Sequence, residues 1–341
     1  MNTEYLDRSA TDRAAELLAA GGLVALPTET VYGLAADASN PAAVAATFQA
    51  KGRPADHPLI VHLSSLEEMA FWAASVPAAA RELASRFWPG PLTLLLNKGR
   101  HVDDVITGGR DTIALRIPAH PLFLLVLKRL GRALTAPSAN RHQRLSPTTA
   151  EHVRNELEGK IAAVLDGGDC ALGLESTILD LTGAPRILRP GPISAADIEI
   201  CLGEPVTQPE QHSVAVAGNM RAHYRPQAPV WLVPGQSLQA VASQVCARQL
   251  GVLHFSASPP VGRGAGHWAA MPADASQFGV RLYRELRRLD ESGCDAILVE
   301  ETPSHASWSA VRDRLRRAAL SVANEAGAIN AALHPEPVKA G

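Results

Sequence analysis

The sequence predicts an α/β protein of two unequal domains, and three observations carry that expectation. At 341 residues the chain is long for a single core. Short apolar runs of strand length recur along it with helical segments between several of them, which is the pattern of a layered α/β structure. A stretch over 203–228, rich in Pro, Gln and Gly, has neither helical nor strand period and separates a larger first part from a smaller second one. The expected division is 1–202 as the main domain, 203–228 as a linker and 229–341 as a small α/β domain.

In chain order, TDRAAELLAA (11–20) has an amphipathic helical period and stops at Gly21-Gly22, and LVALP follows as a short buried strand. Asn40 and Pro41 form a helix start, cap then first position, for a run that ends near Gly52. Further strands are expected at 58–63, 92–96, 112–118, 133–137, 162–166, 176–181 and 186–190. The consecutive strands late in this half imply a mixed sheet. Beyond the linker, strands at 229–234, 251–256 and 295–300 alternate with helices over 237–249 and 274–291. A last helix over 309–326 and a frayed tail complete the chain.

A formal net charge of −2 excludes a polybasic nucleic-acid coat or membrane anchor, so any anion site must be local. No apolar run approaches the roughly 20 residues of a membrane span and the polar start has no signal-peptide core, so a cytoplasmic protein with no membrane partner is expected. Cys170, Cys201, Cys246 and Cys294 lack metal-ligand spacing and are read as reduced. Asp166-Gly167-Gly168-Asp169 reads as a turn, and no metal ligand is expected.

Against this background KGRPADHPLIVHL (51–63) stands out, with Lys51, Arg53, His57 and His62 beside a buried strand. Only five of the 32 Lys and Arg are Lys, so a Lys at position 51 marks a place for a compact ammonium. Four more segments bring small polar or cationic groups to strand ends: PTETVYG (27–33), APSAN (136–140), LESTI (174–178) and LRPG (188–191). Thr28, Thr30, Ser138, Asn140, Ser176 and Thr177 offer neutral hydrogen bonds to phosphate or carboxylate oxygens, and Lys51, Arg53, Arg116 and Arg189 offer charge. Ligands of open α/β sheets sit at such strand ends. No phosphate-binding loop of the Gly-x-x-x-x-Gly-Lys type and no Gly-x-Gly-x-x-Gly run occurs.

PTETVYGLAADA, Lys51-x-Arg53-Pro54, PLIVH, FWPGPLTLLL and Ser138-x-Asn140 together resemble the threonylcarbamoyl-AMP synthase family over about residues 10–200. The second part resembles the family's long form. The resemblance implies a YrdC-like domain with a twisted mixed sheet, followed by a smaller Rossmann-like α/β domain. It also implies a reaction in which L-threonine, bicarbonate and ATP, with Mg²⁺ held mainly by the phosphates, give threonylcarbamoyl-adenylate and pyrophosphate. A separate transferase complex then passes the group to tRNA, whose direct contact with the enzyme is allowed but not required.

By motif, Lys51 and Arg53 resemble the catalytic pair. Thr30, Tyr32, His62, Arg116 and Ser176 resemble the threonine site, with Arg116 on the carboxylate. Arg53, His57, Thr112, Ala136, Ser138, Asn140, Ser146 and Arg189 resemble the nucleotide site. His57 departs from the pattern, which commonly has Asn there. Lys51 and Arg53 are expected to leave their helix end toward solvent. A labile mixed anhydride needs water excluded, so the linker is expected to fold over the nucleotide as a lid with Tyr224 in contact. An RNA-binding module and a carbamoyl-transfer module of the same fold are the alternatives. Low aromatic content, 4%, counts against the first and the lack of a Cys-x-x-Cys pair against the second.

Overall fold

A computed structural model describes residues 2–209, 212–218, 222–256 and 266–334. The chain divides into two compact units, Met1–His142 with Ser146–Asn219, and Gln143–Leu145 with Met220–Gly341. The division falls inside the expected linker.

The first unit is built on a ten-stranded sheet. Its spatial order is Glu4–Leu6, Ala163–Leu165, Val24–Leu26, Gly33–Asp37, Leu134–Thr135, Ile60–His62, Thr112–Arg116, Leu92–Asn97, Thr177–Asp180 and Arg186–Arg189. Parallel and antiparallel pairings alternate irregularly, so the sheet is mixed as expected. The edge strand Glu4–Leu6 and the strand Gly33–Asp37 had no sequence expectation. GLAAD is small-residue and buried throughout, with none of the alternation or β-branching that marks a strand.

Strand alternation decides the chemistry of the two faces. Val61, Leu94, Leu96, Ile113, Leu115 and Leu179 point into the main core under the helices. Ile60, Leu95, Ala114, Ile178 and Leu188 point the other way. That second face is met by Val214, Val216 and Ala217 from the expected linker. His212 bonds the Leu188 carbonyl at 2.8 Å. The stretch therefore docks by its own apolar side chains, a short pattern invisible among its Pro and Gln.

One helix positions Lys51 and Arg53. Asn40 accepts from Ala42 N and Ala43 N at 3.1 and 3.2 Å, and Pro41 starts the turn. Gly52, at φ +62°, closes Pro41–Lys51, with Arg53 N reaching back to Phe48 O at 2.9 Å.

The second unit is a five-stranded, all-parallel sheet in the order His267–Ala270, Leu250–His254, Ala296–Glu300, Val230–Val233 and Ser321–Val322. The helices Gly235–Gln244, Ala275–Glu291 and Ser309–Ala318 lie between its strands in the chain. The expected single helix over 309–326 is corrected: it stops at Ala318, an edge strand follows, and Ala326–Leu333 is a separate helix. Ala319 is extended and its N–H ends the helix on Leu315 O, after which Leu320 N pairs with Val230 O. Sheet pairing thus overrides the local helical preference. The expected tail falls partly on this helix, and 335–341 lies outside the described residues.

Candidate active site

Lys51 does not point to solvent. It is 4% exposed and its ammonium donates to the carbonyls of Ser138 and Asn140. Two of its three N–H groups thus pin the Ser138–Asn140 segment to the helix end. Burial first, and Arg53 second, push its pKa well below the usual ammonium value. Arg53 is partly exposed, with its guanidinium on Pro58 O at 2.9 Å and 5.9 Å over the Phe48 ring. His57 is half-buried, and burial and Arg53 lower its pKa. Gly33 lets Ala136 approach: a Cβ there would lie 3.0 Å from that of Ala136, and Gly33 bridges to Ser138.

A second cluster gathers around Arg116. Arg116 and His62 are register partners in a parallel pair. Arg116 donates to Gly90 O at 3.0 Å, Thr30 Oγ1 at 3.2 Å and Glu29 Oε1 at 2.5 Å. Glu29 also accepts from Ala119 N at 3.0 Å. The guanidinium is therefore held by a buried carboxylate. His62 packs 5.2 Å from Phe123, and burial, then Arg116, lower its pKa to about 3, so the imidazole is neutral. Thr30 is fixed by Thr28 Oγ1 at 2.8 Å. Thr112 sits four residues before Arg116 in one strand, about 13 Å along it. Tyr32 is fully buried, donating to Gly168 O at 2.8 Å and accepting from Gly167 N at 3.1 Å. Asp166–Gly168 is a turn closed by Gly168 N on Asp166 Oδ1 at 2.8 Å.

A third group completes the face. Ser176 shares a 2.7 Å hydrogen bond with Thr93, and Arg189 donates to Ser176 O at 2.9 Å and Ser176 Oγ at 3.0 Å. Another Arg189 N–H reaches Ala217 O at 2.8 Å, so the docked stretch meets a cation expected at the nucleotide. Gly191 permits this packing, since a Cβ there would fall 2.3 Å from Thr177 N. Ser146 donates to Glu175 at 2.5 Å. Tyr224 belongs to the second unit, where it is buried at φ +59°, 5.6 Å from the Tyr283 ring and 5.4 Å from the Arg314 guanidinium carbon. The structure gives this ring an internal packing role.

Comparison with known proteins decides the family. Residues 16–191 match the Sua5/YciO/YrdC family, described as "Telomere recombination", and residues 193–320 match "Threonylcarbamoyl-AMP synthase, C-terminal domain". The chain is 40% identical to threonylcarbamoyl-AMP synthase of Pyrococcus abyssi, covering 89% of this chain and 92% of that one. The chain belongs to the threonylcarbamoyl-AMP synthase family. A Bacillus subtilis member is 37% identical over 90% of this chain and 92% of its own. Among solved structures, Pyrococcus abyssi Sua5 complexed with L-threonine superposes with a TM-score of 0.85 at 35% identity, covering 95% of this chain and 100% of that one. An alanine-substituted variant of the same protein gives 0.86 at 37%, covering 95% and 99%.

Within this family member, sequence reasoning passed over Glu29, Thr93, Glu175 and His142. Glu29 and Glu175 lie inside two of the polar segments singled out. Thr93 was detectable as the polar residue of LTLLL, in phase with Leu95. His142 carried no sequence signal.

Proposed function

We propose that this protein condenses L-threonine, bicarbonate and ATP into L-threonylcarbamoyl-adenylate and pyrophosphate, acting in the cytoplasm to supply a separate complex that modifies tRNA. The likeness to threonylcarbamoyl-AMP synthases over nearly the whole length of both chains carries this reading. The geometry supports it. His62, Thr93, Arg116 and Ser176 share one sheet face through strand alternation. Arg116 is the cation for the threonine carboxylate, with Glu29 orienting its fork and Thr30 beside it. Lys51 and Arg53 offset the charge of phosphate and bicarbonate. Because burial depresses the Lys51 pKa, an approaching polyanion itself favours the charged ammonium. Positioning and charge compensation are what an attack of carboxylate oxygen on the α-phosphate requires. Among the described residues no group of three or more His, Cys, Asp or Glu is arranged to hold a metal ion. Mg²⁺ arriving with ATP would be held mainly by its phosphate oxygens and water.

The test is pyrophosphate release from ATP with bicarbonate, with and without threonine. Release should depend on threonine, and Lys51→Ala or Arg53→Ala should lower it about 10²–10³-fold, the scale of removing one preorganised donor. Equal release with serine or glycine would remove the threonine assignment.

A further inference from the structure

His142 follows the Ser138–Asn140 segment. Its backbone N–H donates to the Lys51 carbonyl at 2.8 Å, and its ring lies 5.5 Å from that of His57, tilted by 58°. Both residues are partly exposed. The charged groups that act on the two rings are Lys51, Arg53, Asp56 and Arg110. Lys51 ends the helix, and Arg53 follows it. Asp56 stands with Oδ1 4.0 Å from His57 Nε2. Arg110 donates to the Asp56 carbonyl, and Arg141 pairs with Glu156 at 3.1 Å. Cations outnumber carboxylates.

Two imidazoles in such a setting cannot both be charged without an anion. Burial, then Arg53, lower both rings, with His57 and Lys51 adding to the effect on His142, which falls to about 4. Both are neutral at pH 7 in the free protein. A polyphosphate reverses the balance, because opposite charge favours the imidazolium. Each protonated ring then presents two N–H donors instead of one. The cluster therefore gains charge and donors when an anion arrives and sheds them when it leaves.

We propose that His142 is a polyphosphate-binding residue of this site, acting with His57 as a paired imidazole clamp for the triphosphate of ATP and for the pyrophosphate product. The proposal rests on the adenylate-forming reading above. The protons come from solvent on binding and return to it on release.

The experiment is calorimetric titration of the full chain with inorganic tripolyphosphate between pH 6 and 8, in buffers of different ionisation enthalpy. Wild type is compared with His142→Gln and His142→Arg. Wild type should take up protons on binding and gain about tenfold more affinity than His142→Gln as pH falls across this range. The ligand's own protonation is common to all three proteins and drops out of the comparison. His142→Arg, with a permanent charge, should still bind but lose the added pH dependence. Superimposable pH profiles and equal proton uptake in wild type and His142→Gln would overturn the proposal. Threonine-dependent pyrophosphate release by the same wild-type preparation separates the two readings. A protein that makes no adenylate loses the reaction assignment, while the tripolyphosphate comparison still decides the role of His142.

Discussion

The first unit buries Glu29, His62, Arg116, Ser176 and Arg189 along one face of a mixed sheet, whereas the second buries Glu300, Arg314 and Glu285 inside a parallel sheet and its helices. In the second unit these charges serve packing. Glu300 accepts from Phe255 N at 2.7 Å and Ser256 N at 3.0 Å, and Arg314 lies over Tyr224 and bonds Asp313 at 2.7 Å. Phe255 stacks on Trp308 nearby, and Phe278 meets both edge-on. In the first unit His62, Arg116 and Ser176 line up by strand alternation on the face that the irregular stretch 212–217 meets, with Arg189 brought there by a register shift and Glu29 reaching Arg116 from a loop. A parallel sheet with crossover helices covers both faces. A mixed sheet with one such face can keep polar groups in a cleft.

The contrast predicts that substitutions in the first unit damage ligand binding as well as stability, whereas those in the second act through stability. The largest effect should come from Arg116→Ala, which leaves Glu29 buried without its guanidinium and should cost about 3–5 kcal/mol. Threonine binding should be lost with it. Arg116→Lys should keep more stability but bind threonine nearly as poorly, since an ammonium does not reproduce the fork. Denaturant unfolding and threonine titration with a non-hydrolysable ATP analogue measure both, and unchanged threonine affinity in the Lys variant would contradict the assignment.

Next in size is Tyr224→Ala, expected to destabilise the second unit by about 3 kcal/mol through lost ring and cation–π packing. Hydrogen exchange resolves the units: protection should fall in Ala275–Glu291 and Ser309–Ala318 but not in Thr112–Arg116. Unchanged protection combined with lost ATP binding would instead favour a direct nucleotide role for this ring.

His62 sets a pH dependence. Its folded pKa, about 3, lies below the ordinary 6.5, so the unfolded chain binds more protons between those values. Stability is therefore full above pH 6.5 and falls as pH drops toward 3. The loss should be about 2 kcal/mol between pH 6.5 and 4.5. His62→Gln should lack this component, and an equal acid loss in both proteins would refute it. The smallest effect belongs to Asn40→Ala, about 1 kcal/mol from two lost capping bonds on the helix that carries Lys51. A change within experimental error would show that packing, and not the Asn40 cap, holds this helix start.

The residues themselves announced both layers, the Asn40 cap, the Gly52 stop and the clustering of polar groups at strand ends, because these depend on near neighbours and on periods of 2 and 3.6. The motifs of PTETVYG and Ser138-x-Asn140 also identified the family. Other features depended on partners far along the chain. The burial of Lys51 follows from carbonyls 87 and 89 residues away. The Arg116–Glu29 pair spans 87 residues. Gly33–Asp37 becomes a strand because Val24–Leu26 and Leu134–Thr135 flank it, and residues 212–217 find a sheet face their composition does not advertise. Local pattern specifies which groups can do chemistry, but whether a cation faces solvent, a carbonyl or a carboxylate is decided by burial, which only tertiary packing creates.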